Sequence, residues 1–311
     1  MRIVHSRDEL PEGPVVATMG NFDGVHLGHR RAIAFMQRRA ETVGGPGVVL
    51  TYEPHTRLVV SRPEEPFLLT TLDEKALSLS ELGVEYVAPI PFGEEMARMR
   101  AEVFVREVLV EGWKVREVVV GYNHCFGWRA EGGPALLRKL GDRMGFAVHV
   151  VEPVVADGGV VSSTRIRGLI REGKIEEASR LLGGPYRISG TVVHGDGRGR
   201  KLGYPTANLA VPPYKLLPGD GVYAVRVLLE GTSFPGVMNI GVRPSFGGRN
   251  RSVEVHLIGF QGELYGRKLA CEVLVRLREE RTFEDVEGLK DQIARDLERA
   301  RSVVGECHKA N

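Results

Sequence analysis

The sequence predicts two units in tandem: a parallel sheet with helices on both faces, then an antiparallel β-barrel with a terminal helix. Three observations predict it. Apolar β runs alternate with helical segments from residue 1 to about 183, the pattern of a doubly covered parallel sheet. Leu182-Gly183-Gly184-Pro185 then ends a helix and stops its continuation. After it the β runs follow one another without long helices between them, as in an antiparallel barrel. The expected domains are therefore 1–184 and 185–311.

The first β run, Val15 to Met19, leads into Gly20-Asn21-Phe22-Asp23-Gly24-Val25-His26-Leu27-Gly28-His29, and a helical pattern carrying Ile33, Met36 and Ala40 on one face leads out. Gly20, Gly24 and Gly28 let the chain turn sharply and approach a ligand, and the following helix N-terminus offers N–H groups and a positive dipole end to an anion. His26 and His29, three apart, can both donate to one polyphosphate. A zinc pair and a pair of surface histidines are the competing readings. Zinc lacks an evident third ligand, since Cys125, Cys271 and Cys307 all lie elsewhere in the sequence. No lysine follows the glycines as a Walker loop requires.

The later β runs of this half are Val48 to Tyr52, Tyr86 to Ile90, Val118 to Gly121 and Ala147 to Glu152. Ligands of such sheets sit at the carboxyl ends of the strands, where His26 and His29 fall. Gly121-Tyr122-Asn123-His124-Cys125-Phe126-Gly127 follows one strand and reads by itself as a turn; Arg129 beyond it suits either a phosphate or solvent. Val161-Ser162-Ser163-Thr164-Arg165-Ile166-Arg167 opens a short helix. An N-cap accounts for one hydroxyl, but two arginines in a first turn oppose the helix dipole unless an anion is present.

Composition narrows the classes. The chain has 311 residues, 42% of them hydrophobic, enough for two ordinary cores. Its net charge of +2 argues against nucleic acid as the main partner. Met1 to Glu12 carries neither a signal peptide nor a membrane span, and three scattered cysteines make no disulfide framework. A globular, cytoplasmic protein with no membrane partner is the expectation.

In the second half the β runs are Arg187 to His194, Val222 to Glu230, Phe234 to Ile240, Ser252 to Ile258 and Lys268 to Leu277. A helix from Glu284 to about Val303 repeats Val286, Leu289, Ile293, Leu297 and Ala300 at helical spacing, with the charged face Asp291 to Arg301 assigned to solvent. Between the first two β runs lies Gly195-Asp196-Gly197-Arg198-Gly199-Arg200-Lys201-Leu202-Gly203-Tyr204-Pro205-Thr206-Ala207-Asn208-Leu209. Its glycine N–H groups and basic side chains suit phosphate, while the Thr206 hydroxyl and Asn208 carbonyl are hard oxygen ligands suited to Mg²⁺. Glu254 stands in a strand between Val253 and Val255, where a solvent-facing glutamate is the ordinary reading.

G-N-F-D-G-V-H-L-G-H resembles the H-x-G-H signature of the nucleotidyltransferase superfamily, in the form found in bacterial bifunctional riboflavin kinase/FMN adenylyltransferases. V-S-S-T-R-I-R resembles that superfamily's second phosphate motif, and Gly121 to Gly127 its G-x-D/N-F-x-F-G stretch, with His124 and Cys125 departing from the usual residues. G-R-G-R-K-L-G-Y-P-T-A-N resembles the riboflavin kinase motif, with Tyr204 for phenylalanine. Gly221-Val222-Tyr223, Asn239 to Phe246, Val253 to His256 and Leu277 to Phe283 also fit.

The resemblance implies a Rossmann-like nucleotidyltransferase at 1–184 that adenylylates FMN to FAD, and a kinase at 185–311 that phosphorylates riboflavin to FMN, with ATP and Mg²⁺ serving both. It implies catalytic roles for His26, His29, Arg167 and Glu254, the last as general base. ATP would meet Gly20, Phe22, Asp23, Gly28, Ser163, Thr164 and Arg165 in one half, and Gly195, Gly197, Gly199 and Lys201 in the other. Flavin would meet Asn123, Phe126 and Arg281, and Thr206 and Asn208 would hold the metal. Two rivals stand beside this reading: an adenylyltransferase for another phosphate compound, and a flavin carrier without catalysis.

Overall fold

The computed structural model describes residues 1–309 except 196, 198, 200, 201, 246 and 247, and for 243–250 and 307–309 it describes the backbone alone. By packing, the chain divides into two units: Met1–Glu65 with Thr70–Ser163, and Pro66–Leu69 with Thr164–Asn311.

The first unit is built on six strands, β1 (Arg2–Ile3), β2 (Val15–Gly20), β3 (Gly47–Glu53), β4 (Tyr86–Pro91), β5 (Val115–Gly121) and β6 (Ala147–Val151). They are parallel throughout, in the order β1-β4-β3-β2-β5-β6. Successive residues of β2 point to opposite faces, so Val15, Ala17 and Met19 enter one core while Val16 enters the other. The second core takes Ile33, Met36 and Ala40 from α1 (Leu27–Val43), the face expected from the sequence, and Leu79 from α3 (Leu72–Glu81), which follows the short α2 (Thr56–Val60). The first core takes Phe104 from α5 (Ala101–Phe104), which follows α4 (Glu94–Arg98), then Leu109 from a π-helical stretch, Val105–Gly112, and Leu137 and Leu140 from α6 (Pro134–Met144). From β2 the chain passes to β3 and β4 on one side, then crosses back to lay β5 and β6 on the other. The carboxyl end of β2 is thus the reversal point at which open α/β sheets bind ligands. A two-stranded ribbon, β7 (Val155–Ala156) and β8 (Gly159–Val160), precedes α7 (Ser163–Arg171).

The second unit is a closed six-stranded barrel, β10-β13-β12-β11-β14-β9, antiparallel at every pairing. Its strands are β9 (Tyr186–Val193), β10 (Ala207–Ala210), β11 (Gly221–Leu229), β12 (Thr232–Ser245), β13 (Gly248–Leu257) and β14 (Lys268–Arg278). β10 is a strand that the sequence reading does not include: it begins within the P-T-A-N motif and closes the barrel between β9 and β13. The terminal helix α9 (Val286–Lys309) packs on β11, β12 and β14 and buries Ala300 and Val304.

Two expectations for α9 are corrected. Val286 is 53% exposed, because it opens the helix before it reaches the barrel. Asp296, assigned to solvent, is buried in an ion pair with Arg278 of β14 at 2.9 Å. By packing, the border between the two units lies at Ser163/Thr164. Helix α8 (Ile175–Leu182) buries Ile175, Ala178 and Leu181 and packs against β9 and β14, so it travels with the barrel. Among the described residues no helix is long and apolar enough to cross a membrane.

Candidate active sites

The turn after β2 is held in costly backbone. Phe22, Gly24 and Val25 all have positive φ, at 47°, 88° and 41°. A β-branched residue rarely adopts this region, so the surrounding contacts must enforce it. They come mainly from Asp23, whose buried carboxylate accepts from Thr70 N at 3.0 Å and Thr70 Oγ1 at 3.4 Å. Ser163 Oγ donates to the Asp23 carbonyl at 3.0 Å, so Ser163 meets the turn after β2.

His26 is the N-cap of α1, and its Nδ1 accepts from His29 N at 3.4 Å. That bond fixes the tautomer: Nδ1 is the acceptor, so a neutral His26 carries its proton on Nε2. Gly28 makes the cap possible, since a Cβ there would stand 3.1 Å from His26 Cε1. The two imidazoles stack with centroids 3.7 Å apart, and Phe22 meets His29 edge-on at 5.2 Å. Burial, then the neighbouring His26 and the Lys75 charge, hold the His29 pKa well below its ordinary value. His29 Nδ1 is buried and has no hydrogen-bond partner. The pair is therefore a stack of imidazoles set at a helix N-terminus, suited to hydrogen-bond an anion. Among the described residues no group of three His, Cys, Asp or Glu side chains is placed to hold a metal.

The strand-end segment is more mixed. Asn123 is exposed, whereas Phe126 is buried against Phe104 and closes over Gly132. Phe126 thus belongs to the first core as well as to the strand-end motif. His124 stacks on Phe126, its Nε2 is buried without a partner, and burial pushes its pKa down to about 4. Arg129 lies over the exposed Trp128 ring.

Thr164, Arg165 and Arg167 fall in the second unit. Arg167 is buried, its Nε donates to the Phe67 carbonyl at 2.8 Å, and its guanidinium lies 5.6 Å from the Phe67 ring centroid. Phe67 and Leu68 N–H groups donate to the Tyr214 carbonyl, and buried Lys215 donates Nζ to the Leu69 carbonyl at 2.6 Å. The segment Pro66–Leu69 is thereby part of the second unit, a placement that rests on contacts far apart in the sequence.

In the barrel, β10 brings the P-T-A-N motif beside β13. Asn208 pairs directly with Glu254, and Thr206 Oγ1 donates to Glu254 Oε2 at 3.2 Å. On its other side Glu254 pairs with Asn239. The glutamate is half-buried between two strands, not on an open face. The glycines are explained by what they abut: a Cβ at Gly195 would collide with the Asn208 amide, and one at Gly199 with the Tyr204 carbonyl. His256 Nδ1 bonds the Pro205 carbonyl at 2.7 Å, fixing the approach to Thr206. Gly197 has φ 65°. Lys201, with Asp196, Arg198 and Arg200, lies outside the described residues, as does Phe246.

Asn239 Nδ2 donates to Glu280 Oε1 at 3.4 Å, and Arg281 bonds Gln292 and covers Phe283. The segment after β14 is thus tied to β12 and α9. Asn239 lies in a motif seen in the sequence, but its place beside Glu254 depends on strand register and was not legible there.

Comparison with known proteins gives two family matches. A family described as FAD synthetase matches residues 9–165, and one described as Riboflavin kinase matches residues 182–304. Curated proteins named bifunctional riboflavin kinase/FMN adenylyltransferase align along nearly the whole chain. That of Escherichia coli (strain K12) is 38% identical over 98% of this chain and 97% of its own. That of Pseudomonas fluorescens is 39% identical over 93% and 92%, and that of Bacillus subtilis (strain 168) 35% over 92% and 91%. A solved Streptococcus pneumoniae protein described as a macrolide-efflux protein shares the fold, with TM-score 0.84 and 30% identity over 96% of this chain and 98% of its own.

Proposed function

This chain belongs to the bifunctional riboflavin kinase/FMN adenylyltransferase family, and from that premise we propose how its residues divide the work. It is a bifunctional enzyme of FAD biosynthesis: ATP phosphorylates riboflavin to FMN, and a second ATP adenylylates FMN to FAD with release of pyrophosphate. We assign the second reaction to residues 1–184 and the first to 185–311.

The two reactions ask for different chemistry. An FMN phosphate, with a second pKa near ~6, is already an anionic nucleophile at neutral pH. Its attack on the α-phosphorus of ATP needs donors for charge on the phosphoryl oxygens, and no base. His26 and His29 serve as those donors. His26 presents Nε2–H because its Nδ1 is engaged by the cap, and His29 acts as a neutral imidazole because its site disfavours the cation. Gly20, Phe22, Asp23, Gly28 and Ser163 shape the turn, and Thr164, Arg165 and Arg167 are assigned to the departing pyrophosphate. Asn123 is assigned to FMN.

The ribityl hydroxyl of riboflavin is a poor nucleophile and needs a proton acceptor. Glu254 is assigned as that base. The observation that carries this is the Thr206 hydrogen bond: the carboxylate already accepts from an alcohol at 3.2 Å. The same cluster fits a hard cation, since Thr206 and Asn208 oxygens stand beside one carboxylate on adjoining strands. Thr206 and Asn208 would hold Mg²⁺, which when bound neutralises charge on the transferring phosphoryl oxygens. Glu254 orients the hydroxyl and takes its proton; Gly195, Gly197, Gly199 and Lys201 are assigned to the ATP phosphates and Arg281 to the flavin.

Incubating the protein with riboflavin, ATP and Mg²⁺ and separating the flavins tests the reading. FMN should appear first and FAD follow, with pyrophosphate formed in step with FAD. A protein that binds flavin and turns over neither would be the carrier instead.

A further inference from the structure

The first unit holds a cation that none of its motifs announces. Lys75, in α3, is only 3% exposed. Its Nζ donates to Thr51 Oγ1 at 2.9 Å, and Thr51 Oγ1 donates to the Asn21 carbonyl at 3.3 Å. A hydroxyl has one proton to give, so the relay runs one way, from ammonium through Thr51 into the phosphate-binding turn.

The helix carrying Lys75 is set against the same turn. Thr71 caps α3 in a reciprocal pair with Glu74, and Thr70, the residue before it, donates twice to Asp23. Asp23 and Lys75 are thus held by one short stretch of chain. Burying an ammonium costs several kcal/mol and lowers its pKa, an effect opposed here by the carboxylates of Asp23 and Glu53. Its charge in turn reaches His29. Among the described residues Thr51 is the one hydrogen-bond partner of Nζ, an ammonium with three protons to donate. A buried charge under an anion-binding turn has a use when the anion arrives.

We propose that Lys75 is a positioning residue for adenylyl transfer: from beneath the Gly20–His29 turn its ammonium sets the Asn21 carbonyl through Thr51 and adds fixed positive charge to the seat of the ATP polyphosphate. The proposal rests on the adenylyltransferase reading of this unit.

Lys75→Met in the full chain tests it through the reverse reaction, FAD plus pyrophosphate, which the kinase does not share. The KM for pyrophosphate should rise about tenfold or more, the factor that ~1.4 kcal/mol of lost attraction produces. Riboflavin phosphorylation should stay at wild type, while the melting temperature falls because the buried Asp23 carboxylate loses a neighbouring positive charge. A fall in kcat at unchanged KM would mean only a damaged fold, and overturns the proposal. Thr51→Val, which keeps the ammonium and cuts the relay, should raise the same KM by a smaller factor of about three to ten. It carries the test if Lys75→Met does not fold, and an unchanged KM there also overturns the proposal. A wild-type protein inactive in both directions between FMN and FAD would instead overturn the adenylyltransferase reading, a separate result.

Discussion

Thr206 donates its hydroxyl proton to Glu254 at 3.2 Å, across the β10–β13 pairing in which Asn208 stands directly opposite the same glutamate. Strand register thus sets Asn208 opposite Glu254, and a side-chain hydrogen bond ties Thr206, the residue before β10, to the same glutamate.

Metal dependence should follow from this cluster. Asn208→Ala and Thr206→Val each remove one proposed oxygen ligand, so riboflavin phosphorylation should need about tenfold more free Mg²⁺ to reach half-maximal rate. FMN adenylylation should keep its wild-type Mg²⁺ profile. Titrating Mg²⁺ in both half-reactions checks this; a shift in both profiles would mean the residues act on the fold instead.

Gly28→Ala should damage FAD formation while sparing FMN formation. The added Cβ would stand 3.1 Å from His26 Cε1 and 3.2 Å from its Nδ1, so the imidazole must shift by a few tenths of an ångström and strain a capping bond already 3.4 Å long. Losing an N-cap costs about 1 kcal/mol, and the displaced donor should lower FMN-to-FAD turnover by about 10²-fold. Steady-state rates of the two reactions and a thermal melt measure both effects.

The histidine turn was legible in the sequence because its logic is local: strand, glycines, capping imidazole and helix lie within ten residues. The barrel motif was legible as chemistry but not as structure. Nothing in P-T-A-N says that Ala207–Ala210 is a strand, and only register places Asn208 beside Glu254. Lys75 was hidden for a different reason. In a helix opening Leu72-Asp73-Glu74-Lys75 it reads as a solvated charge, and its burial comes from contacts with β3, 24 residues away. Pro66–Leu69 likewise owes its place to Arg167 and Lys215, 100 and 146 positions from their partners.

The packing border makes a prediction about fragments. A fragment Thr164–Asn311 keeps α8 on the barrel, whereas Tyr186–Asn311 strips Ile175, Ala178 and Leu181 from it. Each buried aliphatic side chain contributes about 1.5–3 kcal/mol, so the shorter fragment should be the less stable by at least about 2 kcal/mol. Both should phosphorylate riboflavin without making FAD. Denaturant melts and product separation check this; a folded longer fragment without kinase activity would contradict the functional division.

Acid sensitivity should trace in part to His124. Its folded pKa is pushed down to about 4 by burial, below the ordinary 6.5. The unfolded chain binds this proton more readily, so the contribution of neutral His124 is complete above about pH 6.5 and lost as pH falls toward 4. His124→Phe should lessen the loss of stability between pH 7 and pH 4 by on the order of 2 kcal/mol. Urea melts at the two pH values measure it, and an unchanged difference would mean that His124 is protonated in the folded protein.

The central claim is that one chain carries two separate phosphoryl-transfer sites, one of imidazoles and one with a carboxylate base. Measuring both half-reactions on His29→Ala and Glu254→Gln tests it most directly. His29→Ala should form FMN at the wild-type rate and lose FMN-to-FAD turnover by about 10²-fold or more. Glu254→Gln should lose riboflavin phosphorylation by about 10² to 10⁴-fold and convert FMN to FAD as wild type does. If either substitution slows both reactions alike, or if phosphorylation survives in Glu254→Gln within a few-fold, the assignment of the two chemistries to these two sites is contradicted.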